Sequence, residues 1–131
     1  MSSVDELVII LRRKSGLRFD EKLPGFHLYG ADIVQTALAR RLGAYVIDAP
    51  VVHNDKRVKD LGREYGNAYR YLQRKWRERL PIPTTIAPIT RWGVPLWRVR
   101  MRDWVMRRRK GVRYDELLPD PVDIARRLGY E

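Results

Sequence analysis

Most of the side chains that could do chemistry lie between residues 19 and 55, which read FDEKLPGFHLYGADIVQTALARRLGAYVIDAPVVHND. Asp32 stands where loop composition gives way to a helical pattern. A carboxylate there is favoured by the positive end of the helix, which suits a hydrogen-bond acceptor or a general base. Asp20 and Glu21 add carboxylates in the preceding loop, and His27 lies between Phe26 and Leu28. His53 follows a strand-like run and is flanked by Asn54 and Asp55, the sort of place where α/β sheets build their sites. Each has a plainer role as well. Asp32 could simply cap a helix, His27 could be a hydrogen-bonded packing residue, His53 a surface histidine, and Asp20 and Glu21 solvated turn residues.

Other chemistries are excluded by what is missing. The 131 residues contain no cysteine, so disulfides and thiolate metal sites are ruled out. With two histidines, a three-histidine zinc site is ruled out too. Neither of the common phosphate-cradling glycine loops is present, nor a nucleophile elbow, an H-E-x-x-H or a D-x-D pair.

The elements that must position these residues follow from periodicity. Leu7-Val8-Ile9-Ile10-Leu11 is a short apolar run rich in β-branched residues and predicts a buried strand. Residues 18–31 read as loop. Ile33, Val34, Ala37, Leu38 and Leu42 recur at helical spacing, predicting a helix over 32–42 that stops at Gly43. Tyr45-Val46-Ile47 and Val51-Val52 predict a second strand. This order implies an α/β layout. Val58, Leu61, Tyr65, Tyr69, Leu72, Trp76 and Leu80 form one stripe of a long helix that Pro81 and Pro83 end. Residues 94–110 are helical again. Asp120 as cap, Pro121 in the first turn and Gly129 as stop predict a last short helix.

The arrangement resembles the C-terminal half of the catalytic domain of family 2-type glycosyltransferases with the GT-A fold. The resemblance rests on Phe19-Asp20-Glu21, then His27-Leu28-Tyr29-Gly30-Ala31-Asp32, the helix to Gly43, the run Val46 to Val52, and His53-Asn54. It covers roughly residues 5–55, and the LPIPT stretch near 80 is similar to the tail of bacterial members. It implies an α/β, partial GT-A-like fold followed by basic amphipathic helices. It also implies an inverting transfer of sugar from a nucleotide-sugar to a hydroxyl of an acceptor glycan or lipid-linked acceptor, in bacterial cell-envelope polysaccharide synthesis. Asp32 matches the family's general base, which takes the acceptor proton as the bond to phosphate breaks. His27, Tyr29 and Gly30 would shape the acceptor site, and His53 would lie near a metal or the diphosphate. Many members carry an acidic residue where this chain has Gly30. The family's divalent metal, Mg or Mn, and its nucleotide bind in an N-terminal half with no counterpart here. Alone, the chain is therefore expected to be inactive and, with an uncovered sheet edge, to self-associate.

The net charge of +11 is concentrated: residues 1–55 are neutral, 56–110 carry +13 and 111–131 carry −2. A polyanion partner should meet the middle segment. On a helix, Val94, Trp97, Met101, Trp104 and Val105 gather within about 100°. Arg98, Arg102 and Arg109 border one edge, Arg100 and Arg107 the other, and Arg108 falls inside. Arginines beside a tryptophan stripe suit an anionic membrane surface, while basic-plus-aromatic surfaces also suit single-stranded nucleic acid. The plain alternative is that the stripe packs on the domain. The competing function is accordingly a non-enzymatic basic module that binds nucleic acid or another polyanion.

These readings divide the chain into 1–55, 56–90 and 91–131. No apolar run approaches the roughly 18–20 residues of a membrane span. The N-terminal run is too short and too acidic in its flank for a signal peptide. The expected location is cytoplasmic, with peripheral contact on the inner face of the cell membrane.

Overall fold

A computed structural model describes residues 1–4, 7–49, 62–109 and 120–130. Its elements are α1 (Tyr29–Ala39), α2 (Gly62–Lys75), α3 (Val94–Arg109) and α4 (Pro121–Arg127), with 3-10 turns at Arg13–Ser15 and Arg77–Arg79. The expected α/β, partial GT-A-like fold is not formed. Among the described residues there is no sheet, and the one β contact is an isolated antiparallel bridge between Ile82 and Ile89. Leu7–Leu11 and residues 44–49 have strand-like composition but do not pair with each other. Both run along α1 as unladdered chain, with Ile10 73%, Val46 77% and Ile47 61% exposed. A β-branched run supplies only one side of a ladder. Without a second backbone at hydrogen-bonding distance it remains a half-made strand. Val51-Val52 lies outside the described residues.

The core forms where α2 lays one face across the rest. Tyr65, Ala68, Tyr69 and Leu72 are at most 1% exposed, at the spacing that sequence periodicity predicts. They meet Leu28 and Ala31 from the start of α1, Ile82 and Ile89 from the bridge, and Leu96 from α3. The core thus takes residues from all three stretches of the chain.

Polar bonds fix the segment after α2 as well. Ile82 and Ile89 exchange backbone hydrogen bonds of 3.0 and 2.8 Å. The Tyr69 hydroxyl donates to the Pro88 carbonyl and accepts from the Thr90 amide. The Gln73 amide donates to the Thr90 and Arg91 carbonyls. Gly66 lies under the Arg100 guanidinium, which reaches over from α3 to donate to the Gly62 carbonyl. The last helix follows its signals, with Asp120 accepting from the Val122 amide and Pro121 in the first turn. No helix of the described residues is long and apolar enough to cross a membrane.

Candidate functional site

The helix that carries Asp32 begins earlier than the sequence pattern indicates. Its cap is Leu28, in the left-handed region at φ 67°, with no side-chain cap bond. The Asp32 amide already donates to the Leu28 carbonyl at 3.0 Å, so Asp32 lies inside the first turn and does not cap. Its carboxylate is free to reach outward from α1, and it does so toward the end of α2.

There it is 2% exposed and held by two donors. The Trp76 indole N–H donates to Oδ1 at 2.7 Å, and the Lys75 ammonium donates to Oδ2 at 2.8 Å. Lys75 Nζ also lies 2.6 Å from Asp20 Oδ2, which accepts in addition from the Tyr71 hydroxyl at 2.6 Å. One ammonium therefore bridges two carboxylates from different segments. Tyr71 and Lys75 can both take part because residues four apart share a helix face. The other Asp20 oxygen closes its own turn by accepting from the Lys22 amide.

The electrostatics follow from this bridge. Hydrogen bonds from Lys75 and Tyr71 hold the Asp20 carboxyl down at about 2. The same contact with Asp20 pushes the Tyr71 hydroxyl up. Burial acts to lower Lys75, but its bonds to Asp20 and Asp32 outweigh burial and leave it raised.

Because Asp20 is depressed in the fold, its stabilisation is fully present above the unfolded value near 3.8 and is lost as pH falls through about 2. A fifth of the Asp20 side chain meets solvent, so the screened contribution is about 1–2 kcal/mol. Lys75 and Tyr71 are raised, so their contributions hold below their ordinary values and fade as pH climbs beyond them. Urea midpoints measured from pH 2 to 11 should therefore fall at both ends. Asp20→Asn should flatten the acid limb, and an unchanged acid limb in that variant would contradict the bridge.

The Tyr71 and Trp76 rings border the clamp, with centroids 5.9 and 5.3 Å from Lys75 Nζ, and two further ring pairs lie on the neighbouring segments. Phe19, next to Asp20, meets Tyr29 edge-on with centroids 5.7 Å apart, and Tyr29 lies on α1 one turn before Asp32. His27 packs edge-on against Tyr65 at 5.5 Å. Gly30 is buried in the first turn of α1. His53 lies outside the described residues. Asp20 is not the solvated turn residue of the plain sequence reading. The members that sequence reasoning missed are Lys75, Tyr71 and the polar role of Trp76, whose ring had been assigned to the apolar stripe. The i,i+4 spacing of Tyr71 and Lys75 was the available signal.

The carboxylates do not fit a divalent metal in this arrangement. The Lys75 ammonium occupies the position between Asp20 and Asp32 that a cation would need. Nor do the described residues contain a group of three or more acidic or histidine side chains spaced for an ion.

The second set of predicted residues lies on α3. Trp97 and Trp104 are 62% and 49% exposed, and Arg98 and Arg102 are exposed beside them. Arg100 is turned to α2, and Arg107 falls within the helix near its end. Comparison with known proteins adds no family: no family model matches the chain, and neither a curated protein nor a solved structure does.

Proposed function

We propose that this chain supplies the acceptor side of a sugar transferase that uses a nucleotide-sugar donor. The observation that carries the reading is the Asp32 carboxylate, a polar group fixed at 2% exposure by two N–H donors and bordered by aromatic rings. A carboxylate can accept from sugar hydroxyls, and aromatic faces supply the apolar lining that small-molecule sites use.

In this reading Lys75 is the movable member. It is 27% exposed and keeps Asp20 as partner when it leaves Asp32. Its departure opens an Asp32 oxygen to the acceptor hydroxyl. The hydroxyl proton passes to Asp32, the acceptor oxygen bonds to the anomeric carbon, and the bond from that carbon to the diphosphate oxygen breaks. The nucleoside diphosphate leaves with the electron pair, and the anomeric configuration inverts.

The test is a titration of the isotope-labelled chain with glycans and nucleotide-sugars, followed by amide and indole resonances. Glycans of the acceptor type should move the Trp76 indole N–H signal, and Asp32→Asn should weaken their binding about tenfold. If no saccharide moves that signal, the reading fails. A second reading, a basic module on a polyanion, draws support from the exposed arginines of α3, and it predicts oligonucleotide binding that ignores Asp32.

A further inference from the structure

The arginine- and tryptophan-rich helix α3 carries apolar residues on two opposed sides. Leu96 is 8% exposed and Val99 is half-buried, and both pack on the core. At about 100° per residue they fall on one side of the helix. Val94, Trp97, Met101 and Trp104 fall on the other side and are 46%, 62%, 41% and 49% exposed. The body of the protein is thus served by one face, and the tryptophan stripe is left over. Among the described residues the stripe takes no part in the hydrophobic core.

We propose that this outward face of α3 lies on an anionic lipid bilayer. Charge complementarity selects the occupant. The helix holds Arg98, Arg100, Arg102, Arg107, Arg108 and Arg109 against a single acid, Asp103. Arg98 and Arg102 are exposed along one border of the stripe, where long stems can lie over the apolar strip while the guanidinium groups meet phosphate. Trp97 and Trp104 are two turns apart, about 10.5 Å, with Met101 between them. Met and Val are suited to acyl chains and give nothing to a stacked base. The Arg108 guanidinium already lies 4.0 Å from the centroid of the Trp104 ring, so one face of that indole is covered. A convex stripe with a covered ring and an aliphatic centre fits a headgroup boundary better than it fits a single strand. The inference does not rest on sugar transfer, and its test does not involve Asp32.

The experiment is co-sedimentation of the full 131-residue chain with vesicles of phosphatidylcholine alone and of phosphatidylcholine with phosphatidylglycerol at roughly 3:1, chosen for a strongly negative surface. Anisotropy with a labelled oligothymidylate runs beside it. Binding to the anionic vesicles alone is expected. Trp97→Ala with Trp104→Ala should weaken it roughly a hundredfold at low salt, and circular dichroism should stay unchanged because both rings are exposed. Arg98→Gln with Arg102→Gln should weaken it roughly thirtyfold, the equivalent of about 1 kcal/mol for each arginine. Raised salt should erase the arginine effect and leave the tryptophan effect. Unchanged vesicle binding by the tryptophan variant would overturn the proposal. So would tighter binding to the oligonucleotide than to vesicles, or binding to neither.

Discussion

On the proposed sugar-transferase reading, Asp32→Asn is expected to lower sugar transfer by about 10²–10⁴-fold, the usual loss when a general base is removed. The assay is incorporation of labelled sugar from a nucleotide-sugar by membranes of cells that make the chain. Asparagine keeps an oxygen that can accept from the Trp76 indole and is nearly the same size, so the clamp keeps its shape. What it lacks is the charge that takes a proton and pairs with Lys75. Lys75 retains Asp20 at 2.6 Å and is itself 27% exposed, so the stability loss should stay near 1–2 kcal/mol. A large loss of transfer with a small loss of stability assigns the chemistry to Asp32. Turnover equal to the parent chain would show that the carboxylate serves the fold alone.

Lys75→Met is expected to destabilise the chain more than Asp32→Asn does, by about 3–5 kcal/mol in urea unfolding at neutral pH. The asymmetry comes from burial. Removing the lysine leaves Asp32 at 2% exposure with the Trp76 N–H as its one side-chain donor among the described residues, and a buried carboxylate that loses its cation bears the full desolvation cost. Asp20, at 20% exposure, can turn to water instead. The double variant Lys75→Met with Asp32→Asn should therefore recover at least half of the loss, since neither charge is then left without its partner. A Lys75→Met chain as stable as its parent would mean that the ammonium does not neutralise Asp32. Failure of the double variant to recover would place the cost in lost packing of the lysine stem.

Several parts of this arrangement are legible in the residues alone. The stripe of Tyr65, Tyr69 and Leu72 gives α2 and its buried face directly, because helical periodicity and apolar content are local properties. Asp120 and Pro121 mark the start of α4 for the same reason: a cap is satisfied within two residues. The excess of arginine around Trp97 and Trp104 is likewise a count along the chain. The strands are the instructive failure. Leu7–Leu11 and Tyr45-Val46-Ile47 have the composition of buried β structure, but a strand is completed by a neighbour, and composition does not supply one.

What the sequence determined, then, was what is settled within a turn or two of helix: that α2, α3 and α4 form, which face of α2 is apolar, and where the positive charge collects. The stripe expected to continue to Leu80, however, leaves the α-helix at Lys75 for a 3-10 turn at Arg77–Arg79, and its Val58 and Leu61 lie outside the described residues. The tertiary structure alone decided which groups meet. Asp32 and Lys75 are 43 residues apart, and Asp20 and Lys75 are 55 apart, so no local pattern pairs them. It also decided which of the two apolar sides of α3 faces the core. Leu96 and Val99 fit against the body, and the bulkier stripe of Trp97, Met101 and Trp104 stays outside the core, 41–62% exposed. Long-range electrostatics and the shape of the core set those outcomes, and both exist only once the helices have packed.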